Sequence, residues 1–186
     1  PGEEYQETRH NVGQMSIAYL KDHTEVKVKY VIPDTYMNDS GVAVKPLVKS
    51  LKAAENLVII HDDLDLPLGT FKLSFNRGPG GHNGVKSIQK ALKTQAFWRI
   101  RIGISPTTPS GKLKKVSGEE KVHDFILGKF KPAEKKELTK VSGQISQINL
   151  GIKSSEILIE KMVLEVESLQ YDLSEIENKI ETNKKA

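Results

Sequence analysis

From Val26 to Ile32 the chain reads Val-Lys-Val-Lys-Tyr-Val-Ile, an alternation of apolar and basic residues that predicts a strand with one buried face, stopped by Pro33. The run Leu57-Val58-Ile59-Ile60 is apolar at every position, the pattern of a strand covered on both faces, and its end releases His61, Asp62, Asp63 and Asp65. Alternation returns in Phe71-Lys72-Leu73-Ser74-Phe75, followed by the turn Gly78-Pro79-Gly80-Gly81 and a helix predicted over Lys86 to Leu92. A last strand is predicted from Trp98 to Ile104, burying Trp98, Ile100, Ile102 and Ile104 while Arg99 and Arg101 point the other way.

Helical stretches at Met15 to Lys21, Val44 to Leu51 and Val85 to Leu92 interleave with these strands. The expectation is an α/β fold: one domain with a mixed β-sheet sandwiched by helices, and a ligand beyond the carboxyl ends of its strands. Residues 105–121 are rich in Pro, Thr, Ser, Gly and Lys and read as a long loop. Farther on, Met162, Val166, Leu169, Leu173, Ile176 and Ile180 recur at spacings of 4 and 3, a heptad seam on a helix from about Ser154 to Asn183. The domain division expected is 1–141 for the α/β body and 142–186 for a C-terminal helical extension. The seam would either pack on the chain's own body or pair two copies.

Composition removes several classes of chemistry. The 186 residues contain no cysteine, which excludes disulfides, thiolate metal sites and cysteine nucleophiles. No apolar run approaches the roughly 20 residues that span a bilayer, so no membrane partner is expected. A chain that starts at Pro1 is expected to be a piece of a longer product, with any upstream signal out of sight. The net charge is +4, but it is unevenly spread: 14 basic against 11 acidic residues in 1–104, 9 against 5 in 105–141, and 5 against 8 in 142–186. A polyanion would therefore dock on the body and its loop, although solvated lysines kept for solubility give the same count.

The candidate chemistry begins with Thr8-Arg9-His10-Asn11, where a histidine stands among polar residues ahead of a helix. A histidine oriented by a carboxylate is a workable general base, and Asp62, leaving the apolar strand, is the carboxylate at the expected ligand edge. A structural histidine and a loop aspartate would look the same. His82 and Asn83 follow two glycines at a helix start, where amides can hold a carbonyl oxygen or merely cap the helix. Asn38 sits in a turn-forming sequence that needs no functional reason. The run His61 to Asp65 invites a divalent cation, yet no metal or other cofactor is expected, and the glycine turn lacks the lysine and hydroxyl of a P-loop.

Taken together, the segments Pro1 to Gly13, Thr35-Tyr36-Met37-Asn38-Asp39-Ser40-Gly41, His61-Asp62-Asp63-Leu64-Asp65-Leu66-Pro67 and Gly80-Gly81-His82-Asn83-Gly84 resemble the bacterial-type peptidyl-tRNA hydrolases, and Arg99 to Ile104 extends the match. The likeness runs from Pro1 to about Phe130. It implies that His10 is the catalytic base and Asp62 its orienting partner. It also implies that Asn38 and Asn83 hold peptide and water, that Tyr5 and His82 border the substrate, and that Lys72 and Arg101 face acceptor-stem phosphates. Lys112, Lys114 and Lys115 join the last group on charge alone.

The partner implied is peptidyl-tRNA, in a cytoplasmic monomer; a tail-mediated dimer and an organellar setting are the alternatives. Members of the family carry a first strand and an asparagine immediately before the position of Pro1, so the chain is expected to present the catalytic domain without that strand. The stretch between the His10 helix and Tyr36 is shorter than the family pattern. Three functions compete at this stage: hydrolysis of the ester between peptide and tRNA 3′ end, RNA binding without catalysis on the same scaffold, and a metal-dependent phosphohydrolase built on the aspartates.

Overall fold

The computed structural model describes residues 3–24 and 28–148, with Met162, Val163, Val166 and Gln170 beyond them. The chain divides into two compact units, Pro1–Ile145 and Ser146–Ala186. The first is an α/β sandwich. Its strands are β1 (Val58–Pro67), β2 (Phe71–Phe75) and β3 (Trp98–Ser105), ordered β1-β3-β2, with β3 parallel to β1 and antiparallel to β2. The helices are α1 (Val12–His23), α2 (Ser40–Val44), α3 (Leu51–Ala54), α4 (Asn83–Leu92), α5 (Glu119–Leu127) and α6 (132–148). The expected mixed sheet between helices is what the residues form.

Two apolar clusters cover the sheet. Val12 and Leu20 from α1 join Ile100, Ile102 and Ile104 of β3, Phe130, and Leu138, Val141 and Ile145 of α6. Val44, Val85, Ile88 and Phe97 form the second, with Leu57 and Ile59 against them. On α1 the buried residues Val12, Gly13, Ser16 and Leu20 lie on one face at helical spacing. Gly13 makes the closest approach, because a Cβ there would collide with the carbonyl oxygen of Ile60 on β1. That contact sets the start of α1, and the His10 turn just before it, directly on the strand that carries Asp62.

Several expectations are corrected. Among the described residues 28–32 form no strand: they run as an irregular connector, with Val28 and Ile32 exposed and the Tyr30 hydroxyl bonded to Thr24 Oγ1 at 2.7 Å. Alternation creates a strand only where another strand offers its ladder, and among the described residues none lies beside this segment; Val26 and Lys27 of the expected strand lie outside the described residues. The helix expected from Val44 to Leu51 is broken. After α2 the chain tightens into a 3-10 turn over Lys45–Leu47, and α3 starts anew behind the Ser50 cap, whose hydroxyl accepts the Ala53 N–H at 3.1 Å. Pro46 has no N–H to continue an α-helical ladder.

On β3 the expected burial is reversed at its first two positions. Trp98 is 38% exposed and leans on Phe75, at a ring separation of 4.9 Å. Arg99 is 2% exposed and gives an N–H to the Gly78 carbonyl at 2.9 Å, propping the glycine turn. Strand β1 is longer than its apolar run, so His61 to Asp65 are still in the sheet. The 105–121 loop contains a short bridge between Thr107 and Leu113, and its end enters α5. Of the heptad seam, Met162 and Val166 are helical and exposed; Leu169, Leu173, Ile176 and Ile180 lie outside the described residues.

Candidate active site

The histidine turn is fixed from both sides. The Tyr5 carbonyl accepts the Thr8 hydroxyl at 2.8 Å and the Asn11 side-chain N–H at 2.7 Å. Arg9, 8% exposed, grips both carboxylate oxygens of Glu134 at 3.0 and 3.2 Å, donates to the Lys129 carbonyl, and lies over the Phe125 and Phe130 rings. With one Nη on the carboxylate, the other on a backbone carbonyl and two rings against it, the guanidinium is a rigid anchor. It holds His10 against the middle of β1, where Asp62 stands.

His10 Nδ1 lies 2.9 Å from Asp62 Oδ1. A carboxylate can only accept, so Nδ1–H donates and the Nε2 lone pair is left to receive a proton. His82 reaches the same oxygen from the start of α4, with Nε2 at 3.0 Å. Its other nitrogen accepts the Val85 N–H at 3.2 Å, as a side-chain helix cap. Because that backbone amide can only donate, the His82 proton sits on Nε2 and points at Asp62. Two imidazoles therefore give their protons to one carboxylate oxygen.

The electrostatics follow from burial and these bonds. Burial by itself would raise the Asp62 pKa, but the charge and hydrogen bonds of His82 and His10 hold it well below the usual carboxylate range. For His10, burial pulls the pKa down, while the hydrogen bond and charge of Asp62 outweigh it and leave a net rise. His61 is pushed down to about 3, by burial first and by His82 second. Its Nδ1–H donates to the Asp62 carbonyl at 2.6 Å, and its ring stands edge-on to His82 at 4.6 Å.

Of the residues expected at the site, His10, Asp62 and His82 are brought together. Asn83 is the first residue of α4 and exposed; Asn38 is exposed in the 3-10 turn Met37–Asp39. That turn is packed on the start of α4, with Met37 Sδ and Ser40 Oγ crowding the place a Gly84 Cβ would take. Tyr5 is half-buried and contributes its carbonyl to the His10 turn. Lys72 is exposed on β2 directly across from Arg101 on β3, and Arg101 Nε donates to Asp63 Oδ2 at 2.6 Å. Lys112 and Lys114 are exposed in the loop, and Lys115 reaches Asp65 at 3.2 Å.

Sequence reasoning missed the His82–Asp62 bond, the His61 support and the Arg9 anchor; a histidine after two glycines at a helix start was the one signal present. The aspartates do not converge on a common point: Asp62 faces two histidines, Asp63 faces Arg101 and Asp65 faces Lys115. A different trio, His10, Asp62 and His82, offers donor atoms within 4.8 Å of one another, a spacing an ion could use. Their present hydrogen bonds place protons where an ion would sit.

Fold and site define an α/β protein with a histidine oriented by a carboxylate from the middle of its first strand. The peptidyl-tRNA hydrolase family description matches residues 1–171. The chain is 38% identical over 172 residues to a peptidyl-tRNA hydrolase of Persephonella marina, covering 82% of this chain and 86% of that one. It is 40% identical over 161 residues to that of Aquifex aeolicus, covering 76% and 79%. Among solved structures, a crystal structure of a peptidyl-tRNA hydrolase with N-propanol matches at TM-score 0.67 and 29% identity, covering 83% of this chain and 85% of that one. A peptidyl-tRNA hydrolase crystal structure from Acinetobacter baumannii matches at TM-score 0.61 and 30% identity, covering 79% and 87%. This chain belongs to the peptidyl-tRNA hydrolase family, and it is a hydrolase. Among the described residues no helix is long and apolar enough to cross a membrane.

Proposed function

We propose that the chain hydrolyses the ester joining a peptide to the tRNA 3′ end, with His10 as general base and Asp62 as its orienting partner. The observation that carries this reading is the 2.9 Å bond from His10 Nδ1 to Asp62 Oδ1, which leaves Nε2 as the free acceptor. Nε2 takes a proton from water as that water adds to the ester carbonyl. The tetrahedral intermediate then collapses, the C–O bond to the ribose breaks, and the imidazolium returns the proton to the departing ribose oxygen. Asp62 stabilises the imidazolium between these steps.

The ester is labile enough that positioning and base catalysis suffice, with no covalent enzyme intermediate and no cofactor. Asn38 and Asn83 are the amides assigned to the peptide and the attacking water, since both are exposed where their elements meet at the start of α4. Tyr5 borders the same substrate. Lys72 and Arg101 are assigned to acceptor-stem phosphates, supported by their facing positions on β2 and β3. Such contacts are sequence-independent, which suits an enzyme acting on many tRNAs. A cytoplasmic monomer is the setting that goes with this reading.

The test is hydrolysis of an N-acylated aminoacyl-tRNA by wild type and His10→Ala. Turnover is expected to fall about a thousandfold, in the range typical for loss of a general base, while tRNA affinity holds. Unchanged turnover would overturn the assignment. Retained tRNA binding by a wild type with no turnover would instead favour a binding protein on this scaffold.

A further inference from the structure

Asp63 follows Asp62 on β1, and its bond to Arg101 is not used by the histidine pair. Arg101 Nε donates to Asp63 Oδ2 at 2.6 Å, and each side chain is 13% exposed. The other oxygen of Asp63 accepts the backbone N–H of Asp65 at 2.8 Å, where the β1–β3 register shifts. One carboxylate thus ties Arg101 to the stretch of β1 that follows Asp62. The Nη groups of Arg101 make no hydrogen bond among the described residues.

A guanidinium is planar, so pinning Nε fixes the direction in which its Nη donors can meet an anion. Lys72, the cross-strand partner of Arg101, shares its face of the sheet and is exposed. Arg99, on the same face, is already committed to the Gly78 carbonyl. The carboxylate of Asp63 offsets part of the Arg101 charge, which weakens attraction to a polyanion. What it supplies is orientation, while Lys72 keeps the local charge positive.

We propose that Asp63 is a positioning residue that orients Arg101 toward a tRNA phosphate, so that the acceptor end is registered with its ester over His10. This rests on the reading of Lys72 and Arg101 as phosphate contacts. The carboxylate would thereby discriminate substrates that carry an acceptor stem from those that lack one.

The test compares two substrates: an N-acylated aminoacyl-tRNA, and the same N-acylaminoacyl ester on a CCA trinucleotide. In Asp63→Asn the ratio of kcat/KM for the whole tRNA over the short ester is expected to fall about tenfold, the scale of one lost charge-assisted bond. The loss should lie in kcat. The KM for tRNA should stay level or drop, because Arg101 is no longer neutralised. Arg101→Lys keeps the charge without an Nε donor and should reproduce the fall in ratio, which carries the test even if Asp63→Asn folds poorly. The double variant should be no worse than either single one.

Parallel losses on both substrates would overturn the proposal and reduce Asp63 to a prop for the end of β1. A raised KM for tRNA in Asp63→Asn, or additive losses in the double variant, would overturn it as well. Failure of the underlying reading looks different: wild type would then show equal kcat/KM on the two substrates and no dependence on salt.

Discussion

His82 Nε2 lies 3.0 Å from Asp62 Oδ1, the same oxygen that receives His10 Nδ1. The histidine that caps α4 is therefore part of the surroundings of His10, and its ring packs at 4.9 Å from that of His10. Removing it should disturb both a helix terminus and the Asp62 carboxylate.

Those two roles separate by substitution. His82→Asn supplies a good cap but is too short to keep the same bond to Asp62, whereas His82→Ala removes both. Thermal unfolding should show the alanine variant less stable by about 1 kcal/mol than the asparagine one, the usual worth of a cap. The kcat of both variants should fall by roughly tenfold if one bond to a charged group is lost. Equal stability of the two variants would show that the Val85 bond carries no capping energy.

With His10 as the proposed base, the acid limb of the pH–rate profile should report its titration. Its pKa is raised, so activity should be lost as pH falls through a value above 6.5, the ordinary imidazole value. In Asp62→Asn the charge that raises it is gone while burial remains. The limb should move to lower pH as the plateau drops. A limb that stays in place would mean another group controls it.

His61 links the site to acid stability. It is pushed down to about 3 in the folded chain, so between pH 6.5 and about 3 only the unfolded chain binds this proton. Its contribution is whole above 6.5 and is lost as pH falls, by at most about 1.4 kcal/mol per pH unit. His61→Gln should flatten that part of the stability–pH curve, measured by denaturant unfolding. An unchanged slope would show that water reaches the ring on protonation.

Gly13→Ala inverts the usual helix rule. Alanine normally stabilises a helix interior by up to about 1 kcal/mol over glycine. Here its Cβ would strike the Ile60 carbonyl, so Tm should fall and kcat with it, because His10 moves off Asp62. An unaltered Tm together with unaltered kcat would show that α1 can lift from β1 freely.

Much of this was legible in the chain. Period-two alternation located β2, and an all-apolar run located the start of β1, because a strand turns successive side chains to opposite faces. His10 stood out as a histidine among polar residues ahead of a helix, and Asp62 as a carboxylate where an apolar run ends. The same alternation misled at residues 28–32 and at Trp98 and Arg99. It reports which side of an element a residue takes, and says nothing of whether a partner strand or a covering helix lies on that side.

The amino-acid order by itself determined where β1, β2, β3 and α4 lie and the family to which the motifs belong. Tertiary structure alone decided that His10 and His82, separated from Asp62 by 52 and 20 positions, would share one of its oxygens, and that Asp63 would take Arg101. Hydrogen bonds need atoms about 3 Å apart. Such distances between remote residues are set by how α1 and α4 seat on the sheet, which no local pattern encodes.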